Sequence, residues 1–152
     1  MEQSKKDLLV QAMHRLKKER TWFPVMDGVS RGEFFMLHKI SHLIRNSQEE
    51  KPGAKITDLS VAAEMSKPAV SQMLNSLEKK GFIERIMTKT DRRVVYVKLT
   101  DSGKTQLEKI AQKMDELMDQ IVEELGKEDT AELARLLDKL YIILEKTQER
   151  TE

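Results

Sequence analysis

The sequence predicts a mainly α chain with one small β-hairpin, an α+β fold in which short helices carry the hairpin and longer helices frame it. Three observations predict it. Apolar residues recur at helical spacing in several separate stretches. Two β-type runs, FIERI (82–86) and VVYVKL (94–99), bracket a charged seven-residue turn, MTKTDRR. Between Thr57 and Gly81 two short helical patterns stand about three residues apart, around Met65, which is the spacing of a helix-turn-helix.

The first helix runs from about Lys5 to Arg20, with Leu9, Ala12, Met13 and Leu16 on one stripe and Lys and Glu between them. Pro24 and Gly28 prevent its extension, and the break gathers Trp22, Phe23, Val25 and Met26. Ser30 opens the second helix with a capping box, its hydroxyl facing the Glu33 N–H and the Glu33 carboxylate reaching back to the Ser30 N–H. Phe34, Phe35, Met36, Leu37, Ile40, Leu43 and Ile44 cover more than one face of that helix, so it is expected to be a largely buried central strut. Asn46 to Lys55 is polar, contains Pro52 and Gly53, and reads as a loop.

Thr57 is the expected N-cap of the third helix, with Leu59, Ala62 and Ala63 on its inner side. Ser66 caps the fourth, where Pro68 falls in the first turn and its missing N–H costs nothing. Gly81 follows Lys79 and Lys80 as a helix-ending glycine should. Thr100 caps a fifth helix reaching about Leu125, along which Leu107, Ile110, Met114, Leu117 and Ile121 step by three and four. A sixth, from about Thr130 to Lys146, carries Leu133, Leu136, Leu137, Leu140, Ile143 and Leu144. No sheet or large core lies near these last two helices in sequence. With the first helix they are read as a dimer interface. The organisation is thus residues 1–50 for the first helix and the strut, 51–100 for a winged helix-turn-helix, and 101–152 for the terminal dimerisation helices.

Composition narrows the function. With no cysteine, disulfides, thiolate metal sites and thiol redox sensing are excluded. No apolar run approaches the roughly 18–20 residues that span a bilayer, and MEQSKKDLL lacks a signal-peptide core, so a cytoplasmic protein away from membranes is expected. The net charge of +1 is a sum of unlike parts: residues 51–100 hold 10 basic and 5 acidic side chains, whereas residues 101–152 hold 8 and 14. A basic middle beside an acidic end suits a middle third that meets a polyanion.

On the fourth helix Val70, Met73, Leu74 and Leu77 fall on one side at 100° per residue and must face the third helix. The other side carries Pro68, Ser71, Gln72, Asn75 and Lys79, with Lys67 at the helix start. Gln and Asn can pair with adenine N6 and N7, Ser can donate or accept, and Lys suits a phosphate or guanine. Lys89, Asp91, Arg92 and Arg93 form the tip of the hairpin, where an arginine can enter a narrow minor groove. Asp91 fits beside phosphates only if it fixes the guanidinium of Arg93 or Arg85.

Residues Ile56 to Gly103 resemble the MarR family of bacterial transcriptional regulators. DRRVVYVKLTDSG has that family's wing pattern in Asp91, Arg93, Leu99, Thr100 and Gly103, and LEKKGFIER (77–85) is similar to its link between recognition helix and wing. The resemblance implies a homodimeric, sequence-specific double-stranded DNA-binding regulator on a pseudopalindromic operator. In such a protein the recognition helix enters the major groove and Arg93 the minor groove. A repressor is expected, since a bound dimer blocks polymerase without further parts. The resemblance also implies a small, commonly aromatic effector near Trp22, Phe23, Phe34, Met36, His38 and the start of the fifth helix. The alternative is a winged-helix interaction module docking an acidic protein.

His38 and His42 share a helix face at metal-binding spacing but lack further ligands beyond His14 and carboxylates, so they are read as ordinary helix histidines. No metal or cofactor is expected. No phosphate loop or catalytic constellation is recognisable, and enzymatic activity is not expected.

Overall fold

The computed structural model describes residues 4–18 and 28–149. The element order is α1 (Lys5–Lys18), α2 (Arg31–Arg45), β1 (Ala54–Lys55), α3 (Ile56–Ala62), α4 (Lys67–Lys79), β2 (Ile83–Met87), β3 (Val95–Leu99), α5 (Asp101–Leu125) and α6 (Lys127–Glu149). The chain divides into two compact units, one up to Lys113 and one from Met114.

In the first unit α2 is the strut. Its start is the expected capping box: Glu33 N donates to Ser30 Oγ at 3.2 Å and Ser30 N donates to the Glu33 carboxylate at 2.8 Å. Met36, Leu37 and Ile40 of α2 join Leu59 of α3, Val70, Leu74 and Leu77 of α4, and Ala54, Ile83, Val97 and Leu99 of the sheet in one core. Each buried Leu, Ile, Val or Met among them contributes about 1.5–3 kcal/mol by leaving water. The strut is less enclosed than its apolar composition suggests, because Phe35 and Ile44 are exposed. A single core covers one side of a helix, and these two point away from it.

The polar segment before α3 is not loop throughout. Ala54 and Lys55 form β1, antiparallel to β3 with Ala54 opposite Val97, so the hairpin becomes a three-stranded sheet in the order β1-β3-β2. Gly53 permits this approach, since a Cβ there would stand 2.5 Å from the Val97 carbonyl oxygen. The strand also moves the start of α3. The chain enters the helix directly at Ile56 with Lys55 in the N-cap position and no side-chain cap, so Thr57 lies inside the helix rather than before it.

The turn between α3 and α4 is held by Ser60 Oγ donating to the Met65 carbonyl at 2.6 Å, with Glu64 in the left-handed region at φ 52°. Ala69 N then donates to Ser66 Oγ at 3.3 Å, capping α4 as its sequence predicts. Thr100 closes the head. Its N–H donates to the Phe82 carbonyl at 3.0 Å, its hydroxyl donates to the Gly81 carbonyl at 2.6 Å, and Gly103 N donates back to that hydroxyl at 3.0 Å. Gly103 must be glycine for α5 to start so near β2, because a Cβ would fall 1.9 Å from the Phe82 carbonyl oxygen.

Helix α1 has no buried residue and exposes Leu8, Leu9, Val10, Met13 and Leu16. In the second unit Gly126 (φ 79°) separates α5 from α6, which begins at Lys127, three residues before the expected Thr130. Leu133, Leu136, Leu137, Tyr141, Ile142, Ile143 and Leu144 of α6 are all exposed in the single chain.

Candidate nucleic-acid interface

Helix α4 and the β2–β3 turn carry the candidate residues. With Val70, Leu74 and Leu77 committed to the core, α4 turns Lys67, Pro68, Ser71, Gln72, Asn75 and Lys79 outward, and all six are exposed. Pro68 in the first turn keeps its fixed backbone where no hydrogen bond is lost. Lys89, Asp91, Arg92 and Arg93 are likewise exposed in the turn between β2 and β3. One set occupies a helix face and the other a hairpin tip, the two shapes that fit a major groove and a minor groove.

Among the described residues Asp91 does not pair with a guanidinium. Its Oδ1 accepts the Arg93 backbone N–H at 2.9 Å, while its own carbonyl faces Val94 N and the Thr88 hydroxyl, each at 3.4 Å. Aspartate's short side chain is suited to holding the backbone two residues on, so here it shapes the turn that presents Arg92 and Arg93. Arg85, the other expected partner, points to α4 instead. Its Nη2 donates to Asn75 Oδ1 at 2.8 Å and its Nη1 pairs with the Glu78 carboxylate. This link between β2 and α4 escapes a linear reading, although Asn75 and Glu78 at i, i+3 share a helix face and so could hold one common partner.

Behind this face lies a buried anchor. Glu33 is 5% exposed, and its carboxylate receives Lys80 Nζ at 2.7 and 2.8 Å and the Ser76 hydroxyl at 2.7 Å, besides Ser30 N. Burial by itself would raise the Glu33 carboxyl, but hydrogen bonds from Lys80, Ser30 and Ser76 with the Lys80 charge more than offset it and hold it below its ordinary value. The carboxylate that caps α2 thereby also fixes the last turn of α4. Lys80 thus acts through a specific partner, beyond the helix-end charge expected of it.

Of the expected effector residues, Phe34, Met36 and His38 are carried by α2, with the Phe34 and His38 ring centroids 6.3 Å apart. Trp22 and Phe23 lie outside the described residues. Phe34 is buried against Phe35, with ring centroids 5.4 Å apart, and Met36 belongs to the core. His38 is exposed and stacks on His42 at 6.3 Å, whose Nε2 faces Asn46 Nδ2 at 2.9 Å. Met36 does line a cleft of about 440 Å3 with Phe35, Lys39, Met65 and Met73. Among the described residues no cluster of three or more His, Cys, Asp or Glu is placed to hold a metal, and no helix is long and apolar enough to cross a membrane.

Residues 29–95, which contain the strut, both short helices, β2 and the wing turn, match the MarR family. Over that span the chain is similar to the MarR family. Among relatives, the HTH-type transcriptional regulator FarR of Neisseria gonorrhoeae is 38% identical over 90 residues, covering 55% of this chain and 62% of FarR. The chain spans about three fifths of the length of the first curated relatives it matches, 62% and 61%. A Staphylococcus aureus MepR mutant superposes with a TM-score of 0.73 at 22% identity, covering 93% of this chain and 98% of that one. A mutant Escherichia coli MarR complexed with operator DNA gives a TM-score of 0.63 at 24% identity, covering 87% and 91%. These likenesses show a MarR-type winged-helix fold.

Proposed function

We propose that this protein is a sequence-specific regulator of transcription that binds double-stranded DNA through α4 and the β2–β3 wing. The observation that carries this reading is the exposed polar face of α4, with Ser71, Gln72, Asn75 and Lys79 outward while Val70, Leu74 and Leu77 are fully buried. FarR is a transcriptional regulator and the MarR mutant was solved on operator DNA, which supports the same role here. In this reading α4 reads bases in the major groove and Arg93 enters the minor groove, with Lys67, Lys79, Lys89 and Arg92 taking phosphates.

The protein acts as a homodimer. A second copy would cover the exposed apolar side chains of α1 and α6, which a lone chain leaves in water. Two heads on successive major grooves of one DNA face call for half-sites about 34–36 Å apart and a pseudopalindrome. Repression follows from occupancy of the operator. A small aromatic ligand releases it, and the methionine-rich cleft beside Met36 and Met73 supports an adaptable lining for such a molecule.

In vitro selection of DNA sites with the purified protein tests the whole reading. A palindrome with the stated spacing is expected, and binding that falls steeply with salt. Selection of no common sequence, together with capture of an acidic protein by the same face, would replace this function with that of a protein-docking module.

A further inference from the structure

Resting on the reading of α4 as a base-reading helix, we infer that Arg85 is a positioning residue that makes Asn75 read acceptor edges of bases, guanine above all, instead of adenine. The amide of an asparagine recognises adenine by using both its ends, accepting from N6 and donating to N7. Here one end is already taken. Arg85 Nη2 stands 2.8 Å from Asn75 Oδ1, and because a guanidinium only donates, the atom facing it must be the amide oxygen. Glu78 holds the other guanidinium nitrogen, so the group is gripped from two positions on one helix. It is also anchored from behind: Arg85 lies in β2 opposite Val97, a fully buried residue of the central strand.

Two consequences follow for the base that meets Asn75. The Nδ2 amino group faces away from Arg85 and is the end left to donate, which matches guanine N7 and O6 or thymine O4. The remaining lone pair of Oδ1 lies beside a guanidinium, whose positive charge repels the amino hydrogens of adenine N6 or cytosine N4. An isolated exposed Asn would prefer adenine. Asn75 is tied to the wing strand and prefers its opposite.

The test uses the full chain and a library of duplexes randomised around the site selected by the wild-type protein. With wild type, the one position per half-site whose preference disappears in Asn75→Ala should favour guanine over adenine by at least about fivefold, the low end for one base contact. Arg85→Met frees Oδ1 and should move that position, and no other, toward adenine. Asn75→Asp keeps the acceptor for Arg85 but removes the donor, and should erase the guanine preference even if the Arg85 variant folds poorly. A wild-type preference for adenine there, or an Arg85→Met profile identical to wild type, would overturn the inference while leaving DNA recognition by α4 intact. Selection of no specific site at all by the wild type would remove both this inference and the function on which it rests. A shift confined to one position separates positioning from a structural role, since general loosening of the head would lower affinity at every position alike.

Discussion

Glu33, the third residue of α2, and Lys80, which closes α4, are 47 positions apart and meet in two hydrogen bonds of 2.8 and 2.7 Å. The carboxylate that caps the strut is therefore the same one that orients the end of α4. Through Ser76 it holds α4 at a second point one turn earlier. Helix α4 is thus clamped by its C-terminal turn to the start of the strut.

Replacing Glu33 by Gln should lower unfolding free energy by about 1–2 kcal/mol, the scale of a charged hydrogen bond reduced for a Lys80 side chain that is more than a third exposed. The pH dependence has a definite sign. A carboxylate held below its ordinary value in the folded state stabilises the fold above that value, and this stabilisation is lost as pH falls through the folded value. Urea titrations should show the wild type losing stability below about pH 4.3. The Glu33→Gln protein should lose less over the same interval, and parallel curves would remove this pair from the acid response.

Gly103→Ala should be among the most damaging single-methyl changes, costing at least about 1–3 kcal/mol, because its Cβ would meet the Phe82 carbonyl oxygen at 1.9 Å and backbone must move. Thermal melting of this variant beside the wild type checks the argument. A Tm for Gly103→Ala within a degree of wild type would contradict the close approach.

Thr100→Val keeps the shape of the side chain but removes the hydroxyl that donates to Gly81 and receives Gly103 N. Loss of this cap should cost about 1 kcal/mol. Hydrogen exchange at Gly103 should quicken more than at Leu99, which would localise the effect to the start of α5.

For DNA, Gln72→Ala should cost about 1–3 kcal/mol on the selected operator and less on random duplex. Arg93→Ala should weaken both alike, as an electrostatic contact in the minor groove does, and should flatten the salt dependence. Gel-shift titrations at two salt concentrations measure both. Equal losses for Gln72→Ala on operator and random DNA would end its role in base reading.

Light scattering at micromolar concentration should give about twice 17.6 kDa. Introducing Glu at Leu136 and Leu137, both exposed on α6, should give monomers whose operator affinity falls. A wild-type monomer would leave the exposed apolar side chains of α1 and α6 unexplained.

Linear sequence determined the order and type of nearly every element, the capping box at Ser30, the N-cap at Ser66, and the outward face of α4. These features depend on residues within about four positions of one another, so periodicity and cap chemistry suffice to read them. Tertiary structure alone decided the partners. Sequence spacing offered Arg85 to Asp91, but the packing of β2 on α4 brought it to Asn75 and Glu78, and Asp91 turned to the Arg93 backbone. It also converted Ala54 and Lys55 from loop to strand, because their hydrogen bonds lie with a strand more than 40 positions further along the chain. Among 27 basic and 26 acidic side chains, which cation meets which anion is set by how the chain returns on itself, and no local pattern carries that information.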